Sequence, residues 1–152
     1  YPHLVVLRTL SKAYALAGAR LGTLIAGEEI VGLLKRIIPP YAIPSSTVDE
    51  VLALTEAPQR TLATARIATL LEQRAMMRER LERCTQVVRV YPSDANFLLV
   101  ECRDAAAFFA AGKSAGLIVR DFSTAPGLAN CLRISIGTPE QNRRLLDAVE
   151  QA

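Results

Sequence analysis

The chain has 152 residues, 51% of them hydrophobic, which suits a folded core and argues against disorder. Its 18 Lys and Arg stand against 15 Asp and Glu, a net charge of +3. This mild excess is spread along the chain, so an ordinary solvated surface is favoured over a nucleic-acid interface. The three cysteines, Cys84, Cys102 and Cys131, are odd in number, widely spaced and without a CxxC pair. They predict buried free thiols in a reducing compartment, not disulfides or zinc. The one histidine, His3, leaves no basis for a histidine triad or metal site. No apolar run approaches the ~20 residues of a membrane span. With no signal peptide visible, a cytoplasmic location is expected, with neither membrane nor nucleic acid as a partner.

The chain starts Tyr1-Pro2-His3 without an initiator Met, and it is expected to be a piece of a longer polypeptide. Leu4-Val5-Val6-Leu7 predicts a buried strand with neighbours on both sides. The next stretch, Thr9 to Gly22, concentrates polar chemistry: Thr9, Ser11, Lys12 and Arg20, with Gly18 and Gly22 bracketing the arginine. A lysine held out of bulk water loses preference for its charged form and becomes a nucleophile toward carbonyls. Thr9 and Ser11 hydroxyls donate to phosphate oxygens, and Arg20 meets the same phosphate as a planar fork. A carbonyl ligand that also carries phosphate describes pyridoxal phosphate.

Leu21 to Ala26 predicts a second strand, and Glu28 to Arg36 a helix with its acidic end first, which complements the helix dipole. Pro39, Pro40 and Pro44 around Tyr41 forbid regular structure there. Thr47 and Glu50 form a predicted capping box opening a helix to about Thr55. Pro58 begins a long helix to about Cys84, with Ala63, Ile67, Leu70, Met77, Leu81 and Cys84 on its apolar side.

A compact α/β unit follows. Strands are predicted at 86–90, 96–102, 117–120 and 131–136. Asp104 caps a helix that Gly112 to Gly116 ends, and Thr138-Pro139-Glu140-Gln141 opens the last helix. Arg120 and Arg133 lie at or inside apolar strands, where a guanidinium is costly unless an anion meets it. A structural salt bridge, or simple exposure at a sheet edge, is the competing explanation.

The segment Ser11-Lys12-Ala13-Tyr14-Ala15-Leu16-Ala17-Gly18-Ala19-Arg20-Leu21-Gly22 resembles the cofactor-lysine motif of class I/II aminotransferases, most of all the histidinol-phosphate aminotransferases. The resemblance covers essentially the whole chain but only the C-terminal part of a family member. It implies an α/β fold: the end of a large-domain sheet, a long linking helix and a small α/β C-terminal domain. The expected division is residues 1–75, with an interdomain helix at about 58–84, and residues 76–152. It implies pyridoxal phosphate as cofactor, Lys12 as catalytic residue, and Thr9, Ser11, Lys12 and Arg20 as cofactor-binding residues.

Arg133, in Leu132-Arg133-Ile134-Ser135, would grip the α-carboxylate of the amino donor. Arg120 would meet the substrate phosphate or the distal carboxylate of glutamate. Pro40-Tyr41 with Ser45, and Pro92 to Phe97, match family segments that make Tyr41 and Asn96 substrate-side candidates, although Pro44 departs from the pattern. The partners implied are a small-molecule amino donor, a 2-oxo acid and a second copy of the chain in a homodimer. A carboxylate on the cofactor's ring nitrogen is also part of this chemistry; none of Asp49, Asp94, Asp104, Asp121 or Asp147 matches the motif for it. An aromatic aminotransferase, a phospho-amino-acid decarboxylase and an inactive domain fragment are the alternatives.

Overall fold

The computed structural model describes residues 1–151, which divide into two compact units, the first Tyr1–Ile67 and the second beginning at Ala68. In the first, β1 (Val6–Thr9) pairs antiparallel with β2 (Gly22–Ile25), so that Val6 faces Ile25 and Thr9 faces Gly22. The first strand therefore lies two residues later than predicted. Nor is it buried, since Val6 is 39% and Leu7 74% exposed. A two-stranded ribbon has too little area to cover its own faces.

Helix α1 (Glu28–Lys35) carries Glu28 and Glu29 in its first turn and Lys35 in its last, the expected order. Helix α2 (Ser45–Thr55) starts earlier than its sequence predicts. Pro44 is its N-cap, at φ −61° and ψ 146°, without a side-chain cap bond. The Pro44 carbonyl accepts from the Thr47 and Val48 N–H groups at 3.0 and 3.2 Å. Thr47 is thus already inside the first turn, and the predicted Thr47–Glu50 capping box does not form. Helix α3 (Ala57–Arg83) runs almost as predicted, with Met77 and Leu81 buried. Its earlier stripe residues, Ala63, Ile67 and Leu70, are half-buried.

The second unit adds β3 (Val87–Val90), β4 (Phe97–Cys102), α4 (Ala105–Ser114), β5 (Arg120–Asp121), β6 (Cys131–Ser135) and α5 (Pro139–Glu150). Its sheet has the order β3-β4-β6-β5, with each neighbouring pair antiparallel. Alternation decides which face is covered. Leu98, Val100, Cys102, Leu132 and Ile134 are buried with Met77, Leu81, Phe108, Leu145, Leu146 and Val149 of the helices. The residues between them, among them Phe97, Leu99 and Arg133, occupy the other face and remain half-buried.

Two helix starts were readable residue by residue. Asp104 Oδ1 accepts from the Ala107 N–H at 2.9 Å. Thr138 and Gln141 complete the reciprocal capping box. Helix α4 ends at Ser114, within the predicted span 112–116, and Gly116, at φ +74°, makes the turn. Gly112 is buried inside the helix, where a Cβ would lie 3.1 Å from Leu145 Cδ1. One boundary needs correction. The strand predicted at 117–120 is only Arg120–Asp121. Leu117 donates its N–H to the Gly112 carbonyl at 2.9 Å, so that donor closes the helix end and is lost to the sheet.

All three cysteines are free and buried. Burial, with Cys131 and Cys84 nearby, pushes the Cys102 thiol up from its ordinary 9.0 to about 12. Between those values the unfolded chain gives up a proton that the folded one keeps, so stability present below about pH 9 is lost as pH rises. The slope from Cys102 alone is about 1.4 kcal/mol per pH unit. Urea titrations of the native chain and Cys102→Ala from pH 8 to 11 check this: the wild-type curve falls more steeply, and parallel curves would refute it.

Candidate active site

Thr9, the last residue of β1, faces Gly22, the first of β2, and the intervening loop folds back on itself. The Leu16 N–H donates to the Leu10 carbonyl at 3.2 Å, and the Leu16 side chain is buried. Within this loop the Thr9 hydroxyl donates to Ser11 Oγ at 2.8 Å, and the Ser11 N–H donates to Thr9 Oγ1 at 3.1 Å. Two hydroxyls and an amide are thereby gathered immediately before Lys12.

Lys12 itself is exposed, so the expectation of a desolvated amine is not met in this chain. The cause is the same as for β1: an isolated ribbon offers no cover. Ala15 and Arg20 adopt left-handed backbone, at φ 56° and 51°. For residues with a Cβ this costs on the order of 1 kcal/mol each, and such strain concentrates at functional sites. Arg20 Nη1 donates to the Ala17 carbonyl at 3.2 Å, which ties its head to the loop. Arg20 thus lies two residues before Gly22, the cross-strand partner of Thr9.

Tyr41 is fully exposed and also left-handed, at φ 58°, in the proline-rich loop. The side chain of Asn96 is exposed, while its carbonyl accepts from the Ile136 N–H at 2.9 Å.

The second cluster lies in the second unit. Arg120 and Arg133 are directly opposite each other across β5 and β6. Arg133 Cζ is 5.1 Å from the Phe97 ring centroid and 5.8 Å from that of Phe122, and Arg120 Cζ is 5.1 Å from Phe122. Arg133 Nε is buried and has no hydrogen-bond partner among the described residues. A salt bridge of the kind this chain does form, such as Arg80 to Asp147 and Glu150 at 3.0 and 2.6 Å, is not what holds Arg133. Arg120 is exposed on the edge strand β5, whereas Arg133, on β6, is half-buried.

The two rings were not singled out in the sequence. The usable signal was the alternation Arg120-Asp121-Phe122, which places Phe122 on the side of Arg120 once β5 is located correctly. The fold thus assembles Thr9, Ser11 and Lys12 in one unit and Arg120 and Arg133 in the other.

The family model described as aminotransferase class I and II matches residues 1–149. The histidinol-phosphate aminotransferase of Xanthomonas euvesicatoria pv. vesicatoria (strain 85-10) is 46% identical over 151 residues, 99% of this chain and 42% of its own length. That of Xylella fastidiosa (strain Temecula1) is 47% identical over 146 residues, 96% of this chain and 40% of its own. The chain therefore spans about two-fifths of the length of the relatives it matches.

Among solved structures, the histidinol-phosphate aminotransferase from Clostridium acetobutylicum superposes with a TM-score of 0.82 at 21% identity, over 99% of this chain and 46% of that one. The Sinorhizobium meliloti enzyme in complex with pyridoxal 5'-phosphate gives 0.67 at 24% identity, over 99% of this chain and 41% of that one. At these identities the structural matches establish the fold, which is the mixed α/β arrangement expected. Family membership rests on the sequence matches: the chain belongs to the class I and II aminotransferases.

Proposed function

We propose that the protein carrying this chain transfers the amino group of L-histidinol phosphate to 2-oxoglutarate, with pyridoxal phosphate as cofactor, in histidine biosynthesis. The observation that supports this best is the Thr9–Lys12 loop, where an amine follows two hydroxyls 2.8 Å apart. That donor set fits the group. A phosphate takes hydroxyl and amide hydrogens with a guanidinium, and an aldehyde takes an amine. When bound, pyridoxal phosphate supplies a conjugated ring that draws electrons from the Cα of the amino donor.

The work of the chain is to hold and to move a proton. Thr9 and Ser11 donate from their hydroxyls, and Arg20 adds charge-assisted bonds, which keep the phosphate end fixed. Lys12 Nζ takes the proton from the donor's Cα and later returns it, acting as base and then as acid. Arg133 receives a carboxylate as a planar fork, and Arg120 takes the phosphate or the distal carboxylate. Histidinol phosphate has no carboxylate, so the Arg133 fork acts on 2-oxoglutarate and glutamate. Tyr41 and Asn96 border the substrate. Helix α3 links a large cofactor domain, to about residue 75, with a small C-terminal one, and two copies work as a homodimer.

Steady-state rates with L-histidinol phosphate, phenylalanine and threonine phosphate test the substrate. Preference for histidinol phosphate is expected, and equal or faster turnover of phenylalanine would replace this assignment with the aromatic one. Borohydride reduction in the presence of pyridoxal phosphate tests the anchor. The adduct is expected on the Lys12 peptide by mass spectrometry, and label scattered over other lysines would refute it.

A further inference from the structure

We infer that Phe122 is a positioning residue, a single ring that lies against both Arg120 and Arg133 and holds their guanidinium groups side by side. This rests on the reading of that pair as the substrate-anion site. Like charges directly opposite on neighbouring strands repel, so Arg120 and Arg133 need something between them. The Phe122 ring has both guanidinium carbons within reach, at 5.1 and 5.8 Å, inside the roughly 6 Å range over which a ring's quadrupole attracts a cation.

The ring sits on fixed backbone. The Phe122 N–H donates to the Cys131 carbonyl at 2.9 Å, and its own carbonyl accepts from the Ala125 N–H at 2.8 Å. Phe97 supplies a second ring to Arg133, at 5.1 Å, from β4. Arg133 Nε, buried and without a hydrogen-bond partner among the described residues, shows that hydrogen bonding at that atom does not set the guanidinium. Ring faces do, and the guanidinium keeps free donor capacity for an anion. Arg120 has no second ring of this kind among the described residues, so both cations share one support.

The test is Phe122→Leu, which keeps apolar bulk but removes the ring, with Phe122→Tyr as the conservative rescue. Both are made in the complete protein that carries this chain. Phe122→Leu is expected to raise KM for histidinol phosphate and for 2-oxoglutarate together, each about tenfold, with a smaller change in kcat. In nitrogen–proton correlation spectra, the Nε–H signals of both Arg120 and Arg133 are expected to move, and Phe122→Tyr to restore signals and KM alike. If only one arginine moves, or neither, or if Phe122→Tyr rescues nothing, the shared support is wrong. Phe122→Met takes the place of Phe122→Leu should the latter fail to fold. Arg133→Gln separates the two ideas. If it raises KM while Phe122→Leu does not, the ring proposal fails alone. If it leaves KM for 2-oxoglutarate unchanged, the anion reading fails, and the spectra still decide whether Phe122 holds the pair.

Discussion

Lys12→Ala is expected to abolish amino transfer in the protein that carries this chain, while leaving it folded. Within this chain the side chain is exposed, so removing it opens no cavity in the loop's own packing. Surface changes of this kind stay within about 0.5 kcal/mol in stability. The loss in rate is of another order. A positioned proton-transfer group contributes roughly 10²–10⁴-fold, and in the proposed mechanism the same nitrogen also anchors the cofactor, so a drop of at least about 10⁴ in kcat is expected. Single-turnover assays with added methylamine sharpen the test, because a free amine replaces the missing base without restoring the anchor. Partial rescue of proton transfer is expected. Retention of more than a few per cent of wild-type kcat by Lys12→Ala would remove Lys12 from the mechanism.

What the sequence disclosed about this site follows from how local the information was. Thr9, Ser11 and Lys12 are neighbours in the chain, so the chemistry of the loop was visible without a fold. Its backbone was not, because the left-handed turns at Ala15 and Arg20 fall on residues that carry no sign of it. Capping behaved the same way. The Thr138–Gln141 box formed because Pro139 sits just inside the helix it opens. The Thr47–Glu50 box failed because Pro44 had already started the turn. The burial predicted for Leu4 to Leu7 depended on partners across a sheet. Those are non-local, and no hydrophobic pattern in one strand specifies them. Phe122 was missed for a related reason: the Gly116 turn shifts β5 along the chain, and a shift of that kind changes which residues share a face with Arg133.

Arg133→Gln is expected to raise KM for 2-oxoglutarate about 100-fold or more, with a much smaller change in kcat. Truncating one partner of a desolvated, hydrogen-bonded charge pair costs about 2–5 kcal/mol, and a planar fork loses both of its bonds to a carboxylate at once. Glutamine keeps one amide donor and the approximate width of the group, so packing against Phe97 survives better than in an alanine variant. The effect on folding has the opposite sign. In the protein without substrate, Arg133 faces Arg120 across the strands and has a buried Nε without a partner. Removing that charge relieves a repulsion and an unmet donor, so Arg133→Gln is expected to raise the unfolding midpoint by an amount worth about 0.5–1 kcal/mol. Lower affinity with higher stability marks a residue kept for its ligand and not for the fold. If Arg133→Gln lost stability and left KM alone, the guanidinium would be a structural group, and the substrate-anion site would have to lie elsewhere.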